Sequence, residues 1–374
     1  MGMVGGGLGS FIGPVHRAAA RLGNRIELVA GAFSATPQKA RDAAAAMQIA
    51  PDRAYESYQQ MFSAERGRAD PIDFVTIVTP TALHFPIARM ALESGLHVFS
   101  DKPATATLEE ARALRRCVEK SNLHYRLSYT YTGYPMVRHA RDLCRGGSLG
   151  AIRKIVVEYN SGWVDMAFKR LGLDVNPMNW RFDPSLAAMG GAFADIGVHA
   201  FNILEFVSGL RVQTVSAQLN GEKLGNSLFD DGNVLLKLSG DVPGVLMASG
   251  LATGNRNDLR LRVFAERAGL LWSHNRPDEL TVGWRDGRTE TLHAGTDYLS
   301  GTAVKSSRLP VGHPEGYLEA FANLYEEFAD LIANATSAEH CLVPGIDEGA
   351  RGMSFVAAAI ASWRASSAWT TLVD

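Results

Sequence analysis

A glycine-rich turn at the start of the chain constrains the fold more than any other feature of the sequence. Gly5, Gly7 and Gly13 lie between a short apolar run at residues 1–4 and a helical pattern at residues 15–22. Glycine lets the backbone turn tightly against a bound pyrophosphate, and the first turn of the following helix offers free N–H groups. A strand, a glycine turn and a helix in this order indicate a dinucleotide-binding βαβ unit.

The spacing of the glycines departs from the usual fingerprint, in which the third glycine follows the second by three residues. Gly5 and Gly7 fit the first two positions, and Gly13, three residues before His16, fits the third with an inserted turn between. An ordinary flexible loop is the alternative, which the surrounding α/β pattern disfavours. The first strand would hold only four residues, which leaves open whether the native start lies upstream of Met1.

The rhythm of the apolar residues changes once along the chain. Up to about residue 122, short buried runs alternate with helical stretches, as in parallel βαβ units. After about residue 150, longer strands alternate apolar with polar residues, as in an antiparallel sheet with one exposed face. We predict an α/β fold, with a Rossmann dinucleotide-binding domain at residues 1–124 and an α+β domain with a large, mostly antiparallel open sheet at residues 125–374.

The same patterns predict individual elements. In the first domain, strands are expected at 26–33, 74–78 and 97–100, and helices at 15–22, 37–47, 83–94 and 108–120. In the second, strands are expected at 152–160, 212–220, 233–238, 244–251, 259–265, 270–274 and 280–284. Thr107 and Glu110 form the pattern of a capping box. An amphipathic helix with a core-facing side is predicted from Leu318, Phe321, Leu324, Phe328 and Leu331.

Composition excludes several classes of protein. The 37 Lys and Arg residues nearly balance the 39 Asp and Glu residues, so no basic field is available to gather nucleic acid or anionic lipid. The sequence contains no apolar run of about 18 residues, no CxxC pair and no HExxH motif. We expect a cytoplasmic protein that binds neither nucleic acid nor membrane and holds no metal.

The end of the predicted second strand bears on the choice between NAD and NADP. NAD enzymes commonly carry an acidic residue there, which binds the ribose 2′-hydroxyl. In this chain the place is taken by Ser34, which can hydrogen-bond either a hydroxyl or a phosphate. Lys39 or Arg41 would pair with a 2′-phosphate, or they simply cover a solvated helix face. The preference for NAD or NADP therefore stays open.

A lysine follows the last predicted strand of the first domain. The segments at 78–84 and 96–103 leave the carboxyl ends of two strands, which line the ligand crevice of a doubly wound sheet. Lys102 in the second segment would hold a reacting hydroxyl and stabilise negative charge as that hydroxyl becomes a carbonyl. A surface lysine in a loop is the alternative.

An aspartate and a histidine lie four residues apart in the second domain. Asp195 and His199 therefore share one face of a predicted helix. A carboxylate beside an imidazole orients it and stabilises its protonated form, which suits a proton acceptor for an alcohol. A helix-start aspartate and a packed core histidine are the alternative.

Together these segments resemble a known family. The residues that carry the resemblance are the glycine turn, Thr79-Pro80 with His84, His97-Val98 before Asp101-Lys102-Pro103, Trp180-Arg181, and Gly190-Gly191 before Asp195 and His199. This ordered set is similar to the glucose-fructose oxidoreductase, inositol dehydrogenase and MocA family, over nearly the whole chain. The resemblance implies a C-terminal sheet that forms an oligomer interface, and hence a homodimer or homotetramer.

The resemblance also implies residue roles. His199 would accept the proton, Asp195 would be its partner or a substrate ligand, and Lys102 would hold the hydroxyl. The residues predicted to bind NAD or NADP are Gly5, Gly7, Ser10, Phe11, Ile12, Gly13, Ser34, Thr79, Pro80, His84, Asp101, Lys102, Trp180 and Arg181. The chain departs from the family pattern at three positions: Asp101 replaces a glutamate, Thr81 an asparagine and Ser34 an acid.

Aromatic residues complete the predicted site. Tyr129, Tyr131 and Tyr134 cluster after the first domain, and aromatic faces beside a guanidinium suit a polyhydroxylated ring. Core packing is the alternative for each tyrosine. The predicted substrate-binding residues are Lys102, Tyr131, Tyr134, Asp195, His199 and His313.

These residues predict reversible oxidation of a secondary hydroxyl of a sugar, glycoside or cyclitol by hydride transfer to NAD or NADP. A second hypothesis keeps the site but recycles a tightly bound cofactor, which would give epimerisation or redox-assisted glycoside cleavage. A third is a non-catalytic nucleotide-binding regulator. Retention of all three catalytic residue types argues against the third hypothesis.

Overall fold

The computed structural model describes residues 1–164, 180–221 and 228–373. The chain divides into two compact units, residues 1–130 with 317–350 and residues 131–316 with 351–374. The first contains a five-stranded parallel sheet, and the second a nine-stranded, mostly antiparallel sheet. The predicted α/β fold, with a Rossmann sheet and a large open sheet, is confirmed.

Strands and helices alternate through the first unit. They are β1 Gly2–Gly5, α1 Ile12–Leu22, β2 Ala30–Ala32, α2 Pro37–Ala46, α3 Tyr58–Glu65, β3 Phe74–Val78, α4 His84–Glu93, β4 His97–Ser100, α5 Leu108–Ser121 and β5 Tyr125–Leu127. The strand order is β2-β1-β3-β4-β5, with every neighbouring pair parallel. All five carboxyl ends therefore lie along one edge, where ligands of such sheets bind.

Strand β2 is shorter than the predicted run at 26–33. Its ladder begins where Ala30 faces Gly2 and ends where Ala32 faces Val4. The partner strand β1 spans Gly2–Gly5, and its ladder with β2 does not extend to residues 26–29. The Val29 N–H still donates to the Met1 carbonyl at 3.1 Å. The apolar pattern thus predicted the strand correctly but not its length.

The predicted amphipathic helix is confirmed as α9, Tyr317–Ile332. Phe321, Leu324, Phe328 and Leu331 are buried, whereas Leu318 is 41% exposed. The helix contributes to the core of the first unit, beside α1 and the strand residues Phe74 and Phe99. The domain boundary predicted at residue 124 placed residues 317–350 in the second domain, whereas they pack in the first unit. The apolar periodicity of a helix shows that one face is buried but not which sheet buries it.

The capping box at the start of α5 is also confirmed. The Thr107 hydroxyl accepts the Glu110 N–H at 3.2 Å, and the Glu110 carboxylate accepts the Thr107 N–H at 3.2 Å. Two N–H groups that the first helical turn cannot satisfy are thereby paired.

His16 on α1 is buried in the core of the first unit. Its Nδ1 lies 2.8 Å from the Tyr325 hydroxyl oxygen, and its ring packs 4.9 Å from the Phe321 ring. Burial lowers the pKa of His16 from 6.5 to about 4. The unfolded chain therefore takes up a proton between these pH values that the folded chain does not.

This difference in pKa predicts a pH-dependent loss of stability. As pH falls from 6.5 to about 4, the free energy of unfolding should drop by up to about 3 kcal/mol through His16, with no contribution above 6.5. His16→Gln should lack this contribution. Denaturant unfolding of both proteins at about pH 7 and about pH 4.5 measures it as a change of about 2 kcal/mol in their difference. Equal pH dependence in the two proteins would contradict the assignment.

The second unit is built on the large sheet. Its elements are α6 Pro135–Arg145, β6 Ile152–Asn160, α7 Gly191–Ser208, β7 Val212–Asn220, β8 Asp231–Leu238, β9 Pro243–Ser249, β10 Asp258–Ala265, β11 Ala268–Ser273, β12 Arg276–Trp284, β13 Thr289–His293, α8 Gly301–Ser306, α10 Ile346–Arg364 from residue 351 onward, and β14 Thr370–Thr371. The strand order is β13-β12-β11-β10-β6-β9-β8-β7-β14. Only the pair β6 and β9 is parallel among the described strands of this sheet.

Alternating burial shows that one face of the sheet is covered. In β8 the even-numbered positions from Gly232 to Leu238 are buried, and the odd-numbered positions between them are exposed. Helix α7 packs on the covered face against β6 and β9, and most of its side chains are buried. Helix α7, which carries Asp195 and His199, is therefore packed along the covered face of the sheet.

Candidate functional site

The glycine turn after β1 is packed so closely that side chains are excluded. A Cβ on Gly7 would lie 2.7 Å from the Phe33 carbonyl oxygen, and a Cβ on Gly13 would lie 2.6 Å from both Cα and O of Gly6. Gly5 has a φ of +83°, in the region that favours glycine. Gly6 was not singled out by sequence reasoning, yet its contact with Gly13 is what brings α1 against the turn.

The inserted turn caps helix α1. The Ser10 N–H donates to the Gly7 carbonyl at 3.1 Å, and the Ser10 hydroxyl accepts the Gly13 N–H at 3.1 Å. Phe11 is 76% exposed and Leu8 is 63% exposed. The backbone N–H groups and the positive end of the helix dipole at the start of α1 fit a pyrophosphate.

The residues after β2 are compatible with either NAD or NADP. The Ser34 hydroxyl accepts the Thr36 N–H at 3.1 Å, a role that uses a lone pair and not the O–H. Arg41 pairs with Glu56 at 2.7 Å, and both side chains are more than half exposed. A 2′-phosphate that approached Arg41 would therefore compete with Glu56. Lys39 is exposed on the same helix.

His84 connects the loops that follow β3 and β4. Its Nδ1 is 2.8 Å from the Pro103 carbonyl oxygen, and its Nε2 is 3.1 Å from the Thr79 carbonyl oxygen. Burial lowers the pKa of His84. Since both partners are carbonyl oxygens, a neutral ring donates to one of them only. His84 thus fixes the two predicted segments relative to each other.

Asp101 fixes the backbone beside Lys102. Its N–H donates to the Ile77 carbonyl at 2.8 Å, and its Oδ1 accepts the Lys102 N–H at 2.9 Å and the Ser128 hydroxyl at 2.7 Å. The peptide bond between Lys102 and Pro103 is cis. The Asp101 carboxylate therefore organises the loop that presents Lys102, which is half-buried at the carboxyl end of β4. Ser128 is a supporting residue that sequence reasoning missed.

In the second unit, α7 begins at a double glycine. Gly190 has a φ of +87°, and a Cβ on Gly191 would lie 2.8 Å from the Leu228 Cβ. Asp195 follows within the first turns, where its Oδ2 lies 3.7 Å from the Arg181 Nε. The Arg181 guanidinium stacks 4.3 Å above the Trp180 ring. Trp180 and Arg181, predicted as cofactor ligands, thus lie beside the candidate catalytic aspartate.

His199 is 7% exposed, in an aromatic surround. The Tyr131 ring lies 4.9 Å from its imidazole at an interplanar angle of 87°, and the Tyr159 ring lies 6.1 Å away. Tyr131 contacts Tyr134 and Trp272 in turn. Tyr131 and Tyr134 are both buried, while Tyr129 belongs to the first unit.

Sequence reasoning missed Tyr159, Trp272 and His274. Each lies within, or directly after, a strand that was predicted, so an inward-facing position was foreseeable. Which of the many inward positions surround His199 depends on strand pairing, which the sequence does not give. His313, a predicted substrate ligand, lies in an exposed turn with its Nδ1 3.2 Å from the Pro310 carbonyl oxygen.

The described residues allow two further observations. Among them, no group of three His, Cys, Asp or Glu side chains is arranged to hold a metal ion. No helix in the same parts of the chain is long and apolar enough to cross a bilayer.

A parallel sheet whose first strand leads through a glycine turn into a helix defines the class of dinucleotide-binding Rossmann domains. The model of the oxidoreductase family with an NAD-binding Rossmann fold matches residues 1–129, and that of the GFO/IDH/MocA C-terminal domain matches residues 137–271. The chain belongs to the glucose-fructose oxidoreductase, inositol dehydrogenase and MocA family. It is an oxidoreductase with an NAD-binding domain, as predicted, and the choice between NAD and NADP stays open.

Solved structures and a curated relative are similar over most of the chain. An inositol dehydrogenase homolog from Azotobacter vinelandii, complexed with NAD⁺, is 31% identical with a TM-score of 0.93, covering 99% of this chain and 96% of that one. An oxidoreductase from Sinorhizobium meliloti is 37% identical with a TM-score of 0.89, covering 98% of each chain. Levoglucosan dehydrogenase from Pseudarthrobacter phenanthrenivorans is 25% identical over 61% of this chain and 63% of its own.

Proposed function

We propose that this protein reversibly oxidises a secondary hydroxyl of a cyclic polyol or sugar, with NAD or NADP as the hydride acceptor. The proposal rests on two side chains of α7. His199 is buried against the Tyr131 ring, and Asp195 lies one turn earlier, beside Arg181. A basic nitrogen, a carboxylate and aromatic faces suit a polyhydroxylated ring. The similarity to proteins named for inositol and levoglucosan supports the same substrate class.

Each residue has a defined part in this proposal. His199 accepts the hydroxyl proton as the C–O bond becomes a carbonyl, and Asp195 orients the substrate or the imidazole. The Lys102 ammonium donates a hydrogen bond to the same oxygen and stabilises its developing negative charge. When bound, the dinucleotide supplies the acceptor for the hydride that leaves the carbon. Carbon loses a hydride and oxygen loses a proton, so the oxidation balances.

The pyrophosphate would be held by the turn and the start of α1, at Gly5, Gly7, Ser10, Phe11, Ile12 and Gly13. The strand-end loops shaped by Thr79, Pro80, His84 and Asp101 would also hold the dinucleotide. Ser34 would contact the adenosine ribose. Its hydroxyl can hydrogen-bond either a 2′-hydroxyl or a 2′-phosphate. We assign no role to His313 beyond its candidacy as a substrate ligand.

The purified protein is tested with NAD and with NADP against a panel of cyclitols, monosaccharides and glycosides. We expect the absorbance band of reduced nicotinamide to grow with at least one cyclic polyol. His199→Asn, which keeps a polar side chain of similar size, serves as the inactive reference. Absence of any reduction across the panel, with folded protein that binds the dinucleotide, would contradict the proposal.

We further propose that the exposed face of the large sheet binds a second copy of the chain. Leu235, Val245, Val156, Arg262 and Leu271 follow one another across five paired strands, in a single row on that face. Leu235 is 52% exposed and Leu271 is 39% exposed. A row of this kind, apolar except for one arginine, is typical of a surface that a partner covers.

Leu235→Asp is expected to convert the oligomer to a monomer, because a carboxylate would be buried without a partner. Light scattering coupled to size exclusion measures the mass of each variant. Lys120→Asp, an exposed change on α5 in the first unit, should leave the mass unaltered. A wild-type protein that is monomeric at all concentrations would overturn this assembly.

A further inference from the structure

A chain of hydrogen bonds begins at the ring that contacts His199. The hydroxyl oxygens of Tyr131 and Tyr159 lie 2.6 Å apart, and the Tyr159 hydroxyl donates to Oδ1 of Asn257 at 2.8 Å. The carboxamide oxygen of Asn257 can only accept, so Tyr159 donates its single hydroxyl proton to it. Tyr131 must then be the donor to Tyr159. The direction of both hydroxyls is therefore set from Asn257.

A second arm starts from the same residue. The Asn257 carbonyl oxygen lies 2.9 Å from Nδ1 of His274, and Nε2 of His274 lies 3.1 Å from the Tyr134 hydroxyl oxygen. A carbonyl oxygen accepts, so Nδ1 carries the proton and Nε2 of the neutral ring accepts from Tyr134. The side chain of Asn257 thus serves Tyr159 and Tyr131, while its backbone serves His274 and Tyr134.

The backbone at Asn257 has an unusual conformation. Its φ is +35°, in the left-handed region that asparagine tolerates better than most residues. The next residue, Asp258, is buried and opens β10 opposite Asn160. The positive φ of Asn257 is strained backbone, held in place by the strand that follows. It directs the side-chain amide towards Tyr159 and the backbone carbonyl towards His274.

We infer that Asn257 is a positioning residue for the reaction: through Tyr159 and Tyr131 it fixes the aromatic wall against which the His199 imidazole is oriented. The inference rests on the proposed role of His199 as proton acceptor. It also assigns the hydroxyl protons of Tyr131 and Tyr134 to Tyr159 and His274, so the two tyrosines offer a substrate their ring faces and not these protons. Apolar ring faces favour the C–H faces of a cyclic polyol over an additional polar group.

The proposed test distinguishes the role of the Asn257 side-chain amide from that of its backbone carbonyl. Asn257→Gly removes the acceptor for Tyr159 but keeps the carbonyl for His274, and glycine suits the positive φ. We expect kcat to fall about 10-fold, with KM and dinucleotide Kd within about 2-fold of wild type, because a shifted general base slows only the chemical step. Asn257→Asp keeps an acceptor and should recover most of the rate. Asn255→Gly, an exposed change in the same loop, should have no effect.

A second readout does not depend on activity. Long-range ¹H–¹⁵N spectra of the imidazoles should show altered His199 signals in Asn257→Gly and unaltered ones in Asn255→Gly, while His274 keeps its Nδ1–H tautomer. Wild-type kcat together with unchanged His199 signals in Asn257→Gly would overturn the inference. If His199 responds but no polyol is oxidised, the network stands and the proposed function fails.

Discussion

Replacing Lys102 by methionine is expected to lower kcat by a factor of about 10³, with little change in dinucleotide affinity or melting temperature. Methionine is unbranched and only one atom shorter than lysine, but it cannot donate a hydrogen bond to the developing oxyanion. The loop should keep its shape, because Asp101 accepts the backbone N–H of Lys102, a contact that the substitution retains. Steady-state kinetics, calorimetric dinucleotide binding and a thermal melt measure the three quantities.

Two further variants show whether the effect is specific. Lys102→Arg keeps a cationic donor of different geometry and should recover part of the rate. Lys120→Met removes an exposed ammonium from α5 and should match wild type. Should Lys102→Met turn over like the wild-type protein, Lys102 would have no part in the chemistry.

Gly13→Ala is expected to weaken dinucleotide binding by about 10- to 100-fold. The new Cβ would lie 2.6 Å from two backbone atoms of Gly6, and backbone on both sides of the turn leaves little room to adjust. The turn must open, and the N–H groups at the start of α1 then lose their alignment with a pyrophosphate. Calorimetric titration with NAD and with NADP measures the loss, and a melt reports any loss of stability.

Gly9→Ala is the matched change in the same turn. No heavy atom lies within 4 Å of a Cβ at Gly9, although its φ is +82°, so the expected cost is backbone strain of about 1 kcal/mol without a clash. Dinucleotide binding by Gly13→Ala as tight as that of Gly9→Ala would show that close packing of the turn does not serve the cofactor.

Local features of the fold were predictable because their causes are local. The Thr107 and Glu110 capping box joins groups three residues apart, and the glycine turn needs backbone freedom at fixed positions. Asp195 and His199 share a helix face through spacing alone. The ordered set of such motifs also sufficed to identify the family, which the comparisons confirm.

Element lengths were less predictable. The run at 26–33 has strand character throughout, yet only Ala30–Ala32 pair with β1, at Gly2 to Val4. Leu318 fits the apolar spacing of α9 but is exposed at the start of the helix. In both cases, a neighbour distant in sequence decides how far a local pattern is used.

The sequence alone determined that a glycine turn opens a dinucleotide domain, that an Asp/His pair lies on one helix, and that a lysine follows a strand end. Only the tertiary structure decided that α9 returns to the first unit, that Gly6 packs on Gly13, and that Tyr159 and Asn257 lie behind Tyr131. Hydrophobic burial is non-directional, so a pattern shows that a face is buried without showing what buries it. Strand register, set by pairing over long sequence separations, supplies that information.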